Sequence, residues 1–178
     1  MEDAAERTDE VIAREAGTGE WVLLSYRLPR EPSTPRIGIW RKLKRLGVAY
    51  LADGLVALPA DARTREHLEW IADEVTELGG TAGIWLAHPA TTPQERQLAA
   101  SMAAARAAEY TQVIEQATRA TGQEETVRRS TARRLRAELR RIGRRDYFPP
   151  PQRHAAHAAV DALIDQNTSE EERKEQRR

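Results

Sequence analysis

Five arginines, Arg129, Arg133, Arg136, Arg140 and Arg144, recur at spacings of four, three, four and four residues. At 3.6 residues per helical turn, that spacing keeps them on one face. Arg128, Arg134, Arg141 and Arg145 flank the row, and Glu138 is the single acidic residue within 126–145. Each guanidinium offers a planar, bidentate fork to phosphate oxygens, so the row is the candidate nucleic-acid-binding surface, for DNA or RNA, with an anionic protein partner as a further reading. A solvated face that pairs with the acidic residues at 66–77 or with the charged C-terminus is the alternative. No helix-turn-helix or other base-reading motif accompanies the row, so it implies no sequence specificity.

A second cationic group comprises Arg27, Arg30, Arg36, Arg41, Lys42, Lys44 and Arg45. Part of it falls where a strand ends and a helix begins, and free N–H groups with the helix dipole favour an anion there. Arg27, Arg30, Arg36, Arg41 and Lys44 are the expected oxyanion contacts, against the alternative of an ordinary basic helix surface. Catalytic chemistry has less to stand on. His154 and His157 share a helical segment, and His157 lies four residues before Asp161, but no third strong metal ligand is near in sequence. Ser25 has no histidine in a context that suggests a triad. Neither phosphate-binding glycine motif, GxxxxGK[ST] or GxGxxG, occurs. No enzyme activity, metal or cofactor is expected.

These residues must be positioned by a short run of elements. Trp21-Val22-Leu23-Leu24-Ser25-Tyr26 is a continuous apolar run of strand length, as in a central strand covered on both faces. Ser33 or Thr34 followed by Pro35 opens a helix over about 35–46, with Ile39, Leu43 and Leu46 inward, Trp40 at the edge and Gly47 as its stop. Asp53-Gly54 between two short apolar runs predicts a hairpin. A second helix follows with a stripe of Leu68, Ile71, Val75 and Leu78, then Gly79-Gly80 and a last strand at 81–86. The order β-α-β-β-α-β predicts an α+β fold with a ferredoxin-like sheet domain, two helices on one face.

Beyond Pro89 an all-helical C-terminal extension is expected. A helix runs to Ala120 along Leu98, Met102, Ala105, Val113, Ile114 and Ala117. Another spans about 124–144, with Val127, Leu135, Leu139 and Ile142 on one side. Asp146-Tyr147-Phe148-Pro149-Pro150-Pro151 is a rigid break, and a last helix carries Val160, Leu163 and Ile164. The expected divisions are 1–19, a flexible N-terminal tail; 20–89, the sheet domain; 90–166, the helical extension; and 167–178, a disordered charged tail. The alanine-lined helices are expected to fold back on each other or to pair with a second copy of the chain as a homodimer.

Composition bounds the rest. The chain has 178 residues, with 28 Lys+Arg against 28 Asp+Glu, so the zero net charge is an average over basic and acidic blocks. The absence of cysteine excludes disulfides, thiol nucleophiles, redox dithiols and Cys-ligated metal sites. No apolar run approaches the ~18 residues of a membrane span, and the start, MEDAAERTDE, is acidic where a signal peptide is basic. A cytoplasmic protein without a membrane partner is expected.

The block from Glu20 through Trp21-Val-Leu-Leu-Ser-Tyr-Arg-Leu-Pro-Arg30 to Arg36 resembles the N-terminal domain of ChrB-type chromate resistance proteins. So do Ile39-Trp-Arg-Lys-Leu-Lys-Arg-Leu-Gly47, Asp53-Gly-Leu-Val-Ala-Leu-Pro59, Glu69-Trp-Ile71, Arg106-Ala-Ala-Glu-Tyr110 and Arg145-Asp-Tyr-Phe148. The likeness covers roughly 20–165. It implies a bacterial, cytoplasmic, chromate-responsive transcription regulator encoded with a chromate efflux pump. The family commonly carries a second, C-terminal domain, which these residues do not include, so a separate partner of that type is expected. Segment 21–59 also resembles the central domain of PaaX-type repressors. More remotely it is similar to the small nuclease of CRISPR adaptation, whose first strand ends in Tyr-Asp with the Asp holding a metal. Here the pair is Tyr26-Arg27, and a cation in that place repels a metal and attracts an anion. The expected function is therefore a chromate- or oxyanion-sensing regulator that binds nucleic acid. The alternative is a non-catalytic interaction module that dimerises and has no small ligand.

Overall fold

The computed structural model describes residues 19–175, with side chains to Ile164. The expected tail at 1–19 lies outside the described residues except for its last position. Four strands and five helices follow in order: β1 (Trp21–Arg27), α1 (Ser33–Leu46), β2 (Ala49–Ala52), β3 (Leu55–Pro59), α2 (Ala62–Glu77), β4 (Thr81–Ala87), α3 (Thr92–Ala120), α4 (Glu125–Gly143) and α5 (Gln152–Glu175). The chain forms two compact units that meet between Met102 and Ala103, inside α3 rather than at 89. The helix α5 continues through Glu175, past the boundary expected at 167.

In the first unit the sheet runs β2-β3-β1-β4 and every pairing is antiparallel. Alternation sorts β1 into two sets. Val22 and Leu24, with their partners Leu58 and Val56 on β3, are completely buried, and the core continues into Ile39 and Leu43 of α1 and Leu68, Ile71 and Val75 of α2. Burying each such side chain contributes about 1.5–3 kcal/mol before the entropy of ordering it is subtracted. Trp21, Leu23, Ser25 and Arg27 alternate onto the other sheet face. Leu78, expected on the buried stripe of α2, is instead its exposed C-cap.

Local chemistry sets the element ends. Asp61 accepts from the Thr64 amide at 2.7 Å while Thr64 Oγ1 accepts from the Asp61 amide at 3.0 Å, a reciprocal cap that starts α2. Gly47 ends α1 in the left-handed region at φ 73°. Neither Ser33 nor Thr34 caps α1: both lie within the helix, and Pro32 is the N-cap. The Asp53-Gly54 turn joins β2 to β3 as expected, with Gly54 at φ 73°.

The second unit has its own core. Tyr110, Val113, Ala117 and Ala120 of α3, Ala132, Leu135, Leu139 and Ile142 of α4, and Ala156, Val160 and Leu163 of α5 form one buried cluster. The alanine stripe of α3 is thus covered by helices of its own chain, and Ala105, expected on that line, is exposed. Val127, expected on the inner side of α4, is 43% exposed, and Arg128 takes the buried position. The reason is phase: Ala132, Leu135, Leu139 and Ile142, stepped back by four, reach 128 and not 127.

Candidate anion and nucleic-acid surfaces

The arginine row divides in the structure. Arg129, Arg133, Arg136, Arg140 and Arg144 are all exposed, and at 100° per residue the row centres about 120° from the buried stripe of α4. Arg129 Nη2 lies 2.6 Å from Glu125 Oε1, one turn back. Arg136 Nη2 donates to Asp161 Oδ1 of α5 at 2.8 Å. The guanidiniums of Arg133, Arg140 and Arg144 have no hydrogen-bond or ion-pair partner among the described residues. The flanking arginines serve the fold instead: Arg128 Nη1 donates to the Gln123 carbonyl at 2.9 Å, Arg134 Nη1 to Gln116 Oε1 at 2.8 Å, and Arg141 pairs with Glu138. The acidic partners of the row are thus Glu125 and Asp161 within this unit.

The basic group near β1 is less compact than its sequence spacing implies. Arg27 ends β1 and Arg30 lies in the following bend; both are exposed. Arg36 is exposed in the first turn of α1, where no acidic residue stands and no side chain caps the helix. The first turn of α1 therefore has no carboxylate of its own at the free N–H groups, and Glu31 stands just ahead of the N-cap. Arg41 stands about 140° around the helix from Arg36. Lys44 Nζ lies 4.9 Å from the centre of the Trp40 ring, a cation–π contact, and Lys42 pairs with Glu74 of α2. Arg27, Arg30 and Arg36 follow one another along the β1–α1 connection, while Arg41 and Lys44 lie further along α1.

A buried charge cluster, invisible as such in the sequence, organises the second unit. Arg106 Nη2 donates to Glu109 Oε1 at 3.1 Å, and Arg145 Nη2 lies 3.1 Å from Glu109 Oε2. Tyr110 Oη donates to Asp146 Oδ2 at 2.9 Å, and Arg153 Nη1 lies 3.7 Å from the same oxygen. Burial holds the Arg106 guanidinium below its ordinary pKa against the opposing pull of Glu109. Burial, then the hydrogen bond and charge of Asp146, push the Tyr110 hydroxyl above its usual range. The expected break at 146–151 is thus an anchoring point. The one signal for it in the sequence was that Arg106–Tyr110 and Arg145–Phe148 both belong to the resemblance blocks.

The sheet face opposite the Val22–Leu24 core holds a further recess of ≈ 390 Å³, between Trp21, Leu23 and Ala57 and the first turns of α3 at Gln94, Gln97 and Leu98. His88 at its rim has Nδ1 2.9 Å from the Gly19 carbonyl oxygen. The imidazoles of His154 and His157 are exposed on α5, and the nearby Asp161 carboxylate is engaged by Arg136. Among the described residues no helix is long and apolar enough to cross a membrane.

These features define a class: an α+β protein whose four-stranded antiparallel sheet is joined to a helical unit with an arginine-lined outer face. The chain belongs to the family described as Protein ChrB, N-terminal, whose model matches residues 36–173. Membership connects it to chromate resistance. Among solved structures, the uncharacterized protein Rv0674 from Mycobacterium tuberculosis has a similar fold, with a TM-score of 0.51 and 14% sequence identity over 93% of this chain and 70% of that one. No curated protein matches the chain.

Proposed function

We propose that the chain is a non-catalytic, oxyanion-responsive regulator of a chromate resistance system. In this reading the sheet is ferredoxin-like, with α1 and α2 on one face, and nucleic acid is held through the outer face of α4. The observation that carries it is the set of three exposed guanidiniums, Arg133, Arg140 and Arg144, on one side of α4 without a carboxylate partner among the described residues. Chromate is a tetrahedral dianion; in this reading the uncapped first turn of α1 supplies backbone donors, and Arg36 with Arg27 and Arg30 of the preceding connection supplies forked side chains.

Two measurements on the full chain test this reading. Chromate at about 5 mM raises the melting temperature where chloride at equal ionic strength does not, and Arg27→Ala with Arg30→Ala removes the shift. The protein also retards duplex DNA at low salt. A melting temperature indifferent to chromate removes the sensing role, and failure to retard any DNA removes the nucleic-acid role.

A further inference from the structure

Trp85 is 60% exposed, yet its indole is held in place. Its Nε1 donates to Ser25 Oγ at 3.0 Å, and Ser25 Oγ donates in turn to the Gly83 carbonyl at 3.4 Å. A Cβ built on Gly83 would stand 3.2 Å from the indole Nε1 and 3.6 Å from Cε2, so the ring lies over that glycine. The β1–β4 register explains the geometry: Trp85 pairs with Leu23, Gly83 with Ser25 and Thr81 with Arg27. The indole starts in the Trp85 row, leans over the Gly83 row and points toward Arg27, one row of about 7 Å further along the strands. An exposed tryptophan needs no such support for stability. A hydrogen bond and a side-chain-free floor pre-organise its ring as a flat platform.

Beside the ring lies an open recess of ≈ 360 Å³, lined among others by Ser25, Arg27, Gly54, Thr81 and Gly83. Arg27 is the only charged side chain in that lining. The recess is lined by the Trp85 indole, by Tyr26, Ser25 and Thr81, and by one cation, and it favours a ligand that is planar at one end and anionic at the other. Every nucleobase has a π-face, and its phosphate supplies the anion. A purely apolar ligand leaves Arg27 unused, and an inorganic oxyanion leaves the indole unused.

We propose that this sheet face binds a nucleotide unit, with the base stacked on Trp85 and the phosphate at Arg27. Duplex bases are stacked and paired inside the helix, so the unit comes from a single strand or from a free nucleotide. The site is on the sheet and stands independently of the α4 arginine row; it shares Arg27 with the proposed oxyanion contacts, and the Trp85 variants separate the two.

The test is fluorescence anisotropy with the full chain and a labelled single strand of about 12 nucleotides, within the span of known single-strand sites. Adenosine monophosphate and a duplex of the same sequence serve as competitors. Trp85→Ala weakens single-strand binding by about 5- to 150-fold, as expected for the loss of one stacked base. Trp85→Phe, which keeps a ring, retains most of the affinity, and Trp70→Ala, which removes another exposed indole, changes nothing. Arg27→Ala lowers the salt slope by about 0.7. Competition by the mononucleotide that is lost in Trp85→Ala assigns a free-nucleotide site; its absence, with single-strand binding intact, assigns a strand. The proposal is overturned if neither ligand binds, if Trp85→Ala binds the single strand like the wild type, or if an abasic strand binds as tightly as one with bases. Thermal unfolding confirms that each variant is folded, and the abasic-strand comparison on the unaltered chain carries the test if the Ala variant is not.

Discussion

The Tyr110 hydroxyl, on α3, donates to Asp146 Oδ2 at 2.9 Å across 36 residues of sequence. Tyr110 is completely buried, and so is the Asp146 side chain. The pair fixes the end of α4 to α3, and Arg153, beside the same oxygen, adds the start of α5. A buried carboxylate is costly unless donors surround it. Asp146 Oδ1 has no hydrogen-bond partner among the described residues, which raises the value of the bond that Oδ2 does make.

Tyr110→Phe therefore removes more than a typical hydrogen bond. It keeps the ring in the core and strips a donor from a buried carboxylate, with an expected loss of about 1–3 kcal/mol. Urea unfolding checks this through a lower midpoint at unchanged slope. An unchanged midpoint would mean that Asp146 is satisfied without Tyr110.

The same hydroxyl gives the stability a pH dependence. Its folded pKa lies above the value of about 10 for an unperturbed tyrosine, so the folded chain holds the proton longer than the unfolded chain. The contribution is complete below pH 10 and is lost as pH rises above it, because the unfolded state ionises first. Tyr26, raised by burial and then by Asp53, and Tyr50, raised by burial and then by Tyr26, act in the same direction. Unfolding free energies measured from about pH 9 to 11 should fall in the wild type and fall less steeply in Tyr110→Phe. Equal slopes would remove Tyr110 as a source.

Gly54→Ala is expected to damage the sheet far more than its size suggests. Gly54 holds φ at 73°, and a Cβ there would stand 2.3 Å from the Tyr26 carbonyl oxygen. Its own carbonyl accepts from the Tyr26 amide at 2.7 Å, so the turn is tied to the end of β1. Left-handed strain costs about 1–3 kcal/mol on its own, and the backbone clash adds to it. Thermal unfolding reads the loss. Gly122→Ala, where a Cβ meets nothing within 4 Å, is the control and leaves stability nearly unchanged.

The contrast between these residues marks what local pattern can reveal. Asp53-Gly54 was legible because its turn chemistry needs only adjacent residues. The strand and helix order follows from apolar runs in the same way, and α3 ends at Ala120 as expected. Tyr110 and Asp146 were legible only as pieces of a resemblance, because nothing in either segment states that they meet. Trp85 falls within the last strand expected at 81–86. Its exposure and its bond to Ser25 depend on a register that joins positions 60 residues apart. Arg128 was misread for a different reason: valine at 127 satisfied the expectation of an apolar residue, although the phase of Ala132, Leu135, Leu139 and Ile142 already pointed one residue on.

That one-residue phase separates the arginines of α4 into two kinds with opposite expected behaviour. Arg128 is 8% exposed and donates into the α3–α4 connection at Gln123. Arg128→Ala removes that bond and the packing of the aliphatic stem, and lowers stability by about 1–3 kcal/mol. Arg133, Arg140 and Arg144 touch no carboxylate among the described residues, so replacing all three with alanine changes stability by no more than about 0.5 kcal/mol per site. Their effect belongs to binding. If each neutralises one phosphate of duplex DNA, the triple variant flattens the log–log salt dependence of the affinity by about 2.7. Denaturant unfolding and salt-titrated binding on the same two variants separate the roles. A triple variant with unaltered salt dependence would leave the outer face of α4 as a solvated surface, whatever the Arg128 variant does.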